Sequence, residues 1–110
     1  MAANLTWPND ADGDVFRRLK ESGFNFDVPY SIDFNIDFQS WPPSAEFIKL
    51  LQNKFKNVEV IEPDGKYSGY ILFIVDAKLT YELVMFVQSS VSELAAPFGG
   101  TCESWGVLHD

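Results

Sequence analysis

The sequence is poor in the groups on which most enzyme chemistry is built: its 110 residues hold one cysteine, Cys102, and one histidine, His109. A lone thiol excludes an internal disulfide and any zinc site made of paired thiolates, so a reducing compartment is the simplest fit. Cations are scarce as well. Eight Lys and Arg stand against sixteen Asp and Glu, a formal net charge of -8. That field repels phosphate backbones and anionic headgroups and draws in basic surfaces. Neither nucleic acid nor a membrane is therefore expected as a direct partner. No apolar run approaches membrane-spanning length, and Met1 to Asp14 contains acids where a secretory leader has its apolar region. The cytoplasm is the expected location.

What the chain has in quantity is apolar and aromatic surface. Hydrophobic residues make up 46% and aromatics 15%, including ten Phe, which excludes disorder driven by weak hydrophobicity. A chain of this length buries roughly two-thirds of the surface that its unfolded form exposes, enough for one core. Residues 1–9 show no periodicity and read as a loose arm anchored at most by Leu5 and Trp7, with a single domain over residues 10–110.

The element signals follow in order. Asp10, Asp12 and Asp14 suit the start of a helix, Arg17, Arg18 and Lys20 its last turns, and Gly23 a left-handed stop. From Tyr30 to Gln39 the alternation is unbroken: Tyr30, Ile32, Phe34, Ile36 and Phe38 point one way and Ser31, Asp33, Asn35, Asp37 and Gln39 the other. Pro42 and Pro43 end that strand. Ser44 then caps a helix carrying Phe47, Ile48, Leu51 and Phe55, closed near Asn57. Val58 to Glu62 and Tyr67 to Val75 form a hairpin around Pro63-Asp64-Gly65-Lys66. Thr80 caps the longest helix, Gly99-Gly100 ends it, and Thr101 to Leu108 is a last strand.

Setting the first helix aside, this order is that of a ferredoxin-like βαββαβ sandwich. It predicts an α+β fold with a four-stranded antiparallel sheet and an extra N-terminal helix. The first and third strands would be central. Asp33, Asn35 and Asp37 would then line the face that the two main helices leave open, beside apolar groups from the Tyr67 to Val75 strand. An acidic row next to apolar surface reads as a protein-docking face unless the N-terminal helix folds over it. One of Tyr67 and Tyr70, three apart, should be exposed.

Sharper chemistry finds little support. Asp10, Asp12, Asp14 and Glu21 fall at positions 1, 3, 5 and 12 of a calcium-loop pattern, but position 6 is Val15 and not the required Gly. Acids at a helix N-terminus explain the same residues. Cys102 and His109 lie over 20 Å apart at about 3.3 Å per strand residue, too far for a nucleophile and its base. Asp33 and Asp37 stand about 13 Å apart, which fits no paired-carboxylate geometry. Gly99-Gly100 ends a helix where phosphate binding needs a helix start. No catalytic, metal or cofactor residue emerges. Trp105 reads first as a core residue and second as an interface anchor.

Two stretches carry a family resemblance. Asp12-Gly13-Asp14-Val15-Phe16-Arg17-Arg18-Leu19 through Gly23 is similar to the start of the bacterial ribonuclease E inhibitors of the regulator of ribonuclease activity B family. Ala95 and Ala96 leading to Gly99-Gly100, then Glu103-Ser104-Trp105-Gly106, resemble its close. The likeness runs from about Asp10 to Val107. It implies a ferredoxin-like sandwich, a cytoplasmic location, no cofactor, and a non-catalytic inhibitor that binds the Arg-rich scaffold region of ribonuclease E. The family usually reads Tyr-Asp-Gly-Trp where this chain has Cys102-Glu103-Ser104-Trp105, and often continues into an acidic tail where this chain has Leu108-His109-Asp110. These departures bear on the partner more than on the fold. The candidate protein-binding residues are thus Asp33, Asn35, Asp37, Tyr70, Glu103 and Trp105, on a monomer or weak dimer. A dimerising or small-ligand-binding module is the competing class.

Overall fold

The computed structural model describes residues 7–107. Their elements run α1 (Ala11–Glu21), β1 (Pro29–Phe38), α2 (Ala45–Lys54), β2 (Lys56–Ile61), β3 (Tyr70–Lys78), α3 (Tyr81–Ala95), a 3-10 turn over Ala96–Phe98, and β4 (Gly100–Val107). The four strands form one antiparallel sheet in the order β2-β3-β1-β4. It is a mixed α/β architecture of three helices and an open four-stranded sheet.

Each helix begins where a short polar side chain satisfies free backbone N–H groups. Asp10 Oδ1 accepts from the Gly13 N–H at 2.7 Å, Ser44 Oγ from Glu46 at 3.2 Å, and Thr80 Oγ1 from Leu83 at 3.1 Å. Gly13 has a separate reason to be glycine. A Cβ there would stand 2.0 Å from the Pro8 carbonyl oxygen, so the first turn of α1 can lie against the preceding chain only without a side chain.

The core sits between one face of the sheet and the helices. Ile32, Phe34 and Ile36 of β1, Ile71 and Phe73 of β3, Phe47 and Leu51 of α2, and Val84 of α3 are fully buried. Phe34 and Phe73, partners in the β1–β3 register, stack with centroids 5.4 Å apart.

α1 packs on the same side as the other helices, against α3 and the end of β4. Phe16 is fully buried, with ring centroids 5.3 Å from Trp105, 5.4 Å from Trp7 and 6.0 Å from Tyr81. Polar contacts fix its rotation: Trp105 Nε1 donates to Asp12 Oδ1 at 2.8 Å, and the Tyr81 hydroxyl donates to Asp10 Oδ2.

The structure moves several expected boundaries. Upstream of Asp10, Trp7 stacks on Phe16 and its carbonyl accepts from Arg17 Nη1 at 3.0 Å, an anchor of the kind the sequence allows there; Leu5 lies outside the described residues. α2 stops at Lys54, where Phe55 turns extended and packs its ring, tilted, on Phe73 with centroids 4.3 Å apart. β2 starts at Lys56, and Asn57 takes φ 56° within an irregularity of the β2–β3 ladder. β3 starts at Tyr70 rather than Tyr67. The Trp41 ring lies so close over Gly69 that any Cβ there would be 2.8 Å from it, and Tyr67 is left pairing with Asp64 to close the turn.

Two outcomes test the attachment of α1. Phe16→Ala should lower stability by about 3–5 kcal/mol, read from urea unfolding, since it deletes a fully buried ring. The Tyr81 hydrogen bond, with the Gly13 N–H second, holds the Asp10 carboxyl below its ordinary 3.8, and the same bond pushes the Tyr81 phenol up to about 12. A lowered Asp10 pKa gives stability that is present above 3.8 and lost as pH falls through the folded value. A raised Tyr81 pKa gives stability that is present below 10.0 and lost as pH rises toward about 12. Tyr81→Phe should flatten both limbs when urea midpoints are followed across those two pH ranges.

Candidate functional site

The side of the sheet away from the helices is the candidate site, and the strand registers fix its layout. Across the strands from β4 to β2, three rows share this face. The first is Gly106, Asp33, Ile74 and Lys56; the second Ser104, Asn35, Leu72 and Glu59; the third Thr101, Asp37, Tyr70 and Ile61. Strands lie about 4.8 Å apart and same-face neighbours along a strand about 7 Å apart, so the rows form a regular grid.

The grid divides lengthwise. On the β4–β1 side, small residues flank the carboxylates of Asp33 and Asp37. On the β3–β2 side, Tyr70, Leu72, Ile74 and Ile61 are half-buried and supply apolar area. Gly106 belongs to this arrangement, because a Cβ there would sit 3.3 Å from Asp33 Oδ1. Beyond the first row, Ser31 donates to Asp76 Oδ1 at 2.7 Å, which places another carboxylate on the same side. Among the described residues the one ion pair is Arg17 with Asp14, on α1. The acids of the open face therefore have no cation among the described residues within ion-pair distance.

Four of the six sequence candidates come together here: Asp33, Asn35, Asp37 and Tyr70. The other two do not. Glu103 occupies the β4 irregularity between the residues paired with Asn35 and Ile36, and lines a hollow with Asp12, Met85, Gln88 and Ser89 at the free edge of the sheet. Trp105 is paired with Phe34 and so stands on the helix-covered face, with its indole held by Asp12. It is half-buried and packs against the core from that side. Sequence reasoning did not single out Glu59, Asp76 or Leu72, because which residues share a row depends on inter-strand register.

The remaining reactive groups are committed elsewhere. Cys102 is 2% exposed, and burial, with Asp37 and Glu103 adding repulsion, pushes its thiol up to about 12, so it is not a thiolate near neutral pH. The Ser92 hydroxyl accepts from the Cys102 N–H at 2.9 Å and donates to its carbonyl at 3.2 Å, closing that point of the β4 edge. His109 lies outside the described residues. Asp10, Asp12 and Asp14 cap, anchor and ion-pair α1, and among the described residues no group of three or more His, Cys, Asp or Glu is placed to hold a metal. Among those residues, too, no helix is long and apolar enough to cross a membrane.

One polar atom on the face is unsatisfied: Asn35 Oδ1 is buried without a hydrogen-bond partner. An orphaned acceptor costs about 1–3 kcal/mol, and Val suits a strand better than Asn. Asn35→Val should therefore raise stability by about 1 kcal/mol in urea unfolding; a loss of stability would mean that the amide makes an interaction that the fold needs.

No curated protein matches the sequence significantly. A family model described as regulator of ribonuclease activity B matches residues 9–107, nearly the whole chain and every element that builds the sheet and its helices. Proteins of this family are regulators of ribonuclease activity, and the present chain belongs to it.

Proposed function

We propose that the protein is a non-catalytic regulator that docks on ribonuclease E, taking an Arg-rich stretch of the enzyme's scaffold onto its open sheet face and so inhibiting or redirecting messenger RNA degradation. The observation that carries this reading is the divided grid. Asp33 and Asp37 stand beside Tyr70, Leu72 and Ile74 with no cation among the described residues in ion-pair reach.

Arginine matches that surface in both of its parts. Its guanidinium is a planar donor that takes a carboxylate bidentately, and its methylene stem covers apolar area. An Arg-rich segment lying across β1 and β3 would set guanidinium groups on Asp33 and Asp37 while its stems rest on Leu72 and Ile74. Asn35, between the two acids, has its Oδ1 buried and so can offer a partner only its amide NH2. Glu103, at the sheet edge, adds to the field that draws in a basic segment without joining the grid.

The strand order and the placement of α2 and α3 on one face support a ferredoxin-like sandwich from β1 onward, with α1 as an N-terminal addition. Catalysis has no place in this reading, since the titratable groups of the open face are spread along strands and do not converge in a pocket. The cytoplasm, where messenger RNA is degraded, is the corresponding compartment.

The test is retention on an immobilised Arg-rich scaffold segment of ribonuclease E. The protein should be held at about 50 mM salt and released at about 500 mM, where screening shortens to a few ångströms. Asp33→Lys with Asp37→Lys should weaken binding about tenfold or more with little change in Tm, because neither side chain packs in the core. Absence of retention at low salt would remove the proposal, and wild-type affinity in the double variant would remove the face.

A further inference from the structure

Behind the sheet, on the helix side, lies an apolar groove that the docking reading does not use. It runs between the end of α2 and the outer side of α3, holds about 690 Å³, and is lined by Lys54, Phe55, Phe86, Ser90, Val91, Glu93 and Leu94. Phe86 stands on its rim and is 69% exposed, although it is a large aromatic on a stable helix. Isolated exposed apolar residues need no explanation, but an exposed ring beside a hollow of its own chemistry does.

We infer that this face binds a second copy of the chain, with α3 packed antiparallel on α3 about a two-fold axis near Ser89 and Ser90, and Phe86 of each copy seated in the groove of the other. Three observations choose this occupant. The first is self-complementarity, because the chain carries both the knob, Phe86, and the hollow formed by Phe55, Val91 and Leu94, as a two-fold interface requires. The second is spacing. A two-fold centred near residue 90 sets position 86 against position 94, so Phe86 meets Leu94 of the second copy, while Ser89 and Ser90, both exposed and small, let the helices approach where they cross.

Charge is the third. Lys54 and Glu93 line the same groove, yet they form no ion pair within the chain. The two-fold sets each against its opposite on the other copy and makes two Lys54–Glu93 pairs at the rim. A basic partner would find only one acid here beside a lysine, whereas the chain itself supplies both signs.

This inference does not rest on the docking reading, which concerns the opposite face of the sheet. The two also respond oppositely to salt. Two copies of charge -8 repel at long range, and screening relieves that repulsion, whereas it weakens the grip of an acidic face on a basic segment.

Sedimentation equilibrium of the full chain tests it at about 0.3 M salt, where the Debye length is near 6 Å. The weight-average mass should climb from 12.4 kDa toward twice that value as concentration rises. Phe86→Glu should lower the association constant about tenfold or more, with the helical circular dichroism unchanged; Ser90→Arg, at the crossing point, should do the same and serves if the first variant misfolds. Lys54→Glu and Glu93→Lys should each weaken association about threefold or more. The second should do so although it reduces the net negative charge, and the double variant should return to within about twofold of wild type. A mass that stays at 12.4 kDa throughout, or Phe86 and Ser90 variants that associate like wild type, would overturn the interface. Failure of the double charge variant to recover would overturn the antiparallel pairing on which it is built.

Discussion

Everything in this molecule hangs on β1 being flanked by a strand on each side. A strand turns successive side chains to opposite faces, so Ile32, Phe34 and Ile36 cannot enter the core without turning Asp33, Asn35 and Asp37 the other way. Pairing with β3 and β4 along nearly its whole length leaves β1 no freedom to twist out of that choice. A register slip of one residue would bury two aspartates and expose the three core side chains Ile32, Phe34 and Ile36, at a cost well above the stability of a domain of this size. The acidic row is thus a consequence of the core as much as a feature of the surface.

What that row can do depends on its neighbours. β4 places Gly106, Ser104 and Thr101 beside it, residues too small to cover a carboxylate, and β3 places Ile74, Leu72 and Tyr70 on the other flank. The helices cannot close over the face because each has a better partner: α2 and α3 cover the opposite side, and α1 is drawn there by Phe16, whose ring contacts residues from three other segments. Asp10 and Asp12, which resemble a calcium-loop pattern in sequence, serve that attachment by accepting from Tyr81 and Trp105.

Period and punctuation made much of this legible from residues alone. The Tyr30 to Phe38 alternation, the caps Asp10, Ser44 and Thr80, and the Gly99 exit each express a local rule, and each stands where that rule puts it. Contacts between distant segments were not legible. Trp105 meets Asp12 across 93 positions, and no local pattern distinguishes an indole that closes a core from one that anchors an interface. Tyr67 carries strand propensity yet lies in a turn, because Trp41 claims the space over Gly69. The grid shows the same division: the β1 column was readable from alternation, but Glu59 and Ile61 joined it through a register that includes an irregularity at Asn57.

On the docking reading proposed above, the division of the open face also sets how strongly it would hold a partner. An exposed carboxylate–cation pair contributes about 0.2–1 kcal/mol, so the four acids Asp33, Asp37, Glu59 and Asp76 supply about 1–4 kcal/mol together, which corresponds to millimolar affinity at best. Micromolar binding needs about 8 kcal/mol. The balance, about 4 kcal/mol before the cost of ordering the partner, requires covering roughly 160 Å² of apolar surface at about 25 cal/mol per Å². Tyr70, Leu72, Ile74 and Ile61, half-buried in a line along the acidic row, are the residues that offer such area. A partner selected by charge alone would bind weakly and to any basic chain; one that also presents aliphatic stems at strand spacing gains from both halves of the grid at once, and specificity follows from that coincidence rather than from net charge.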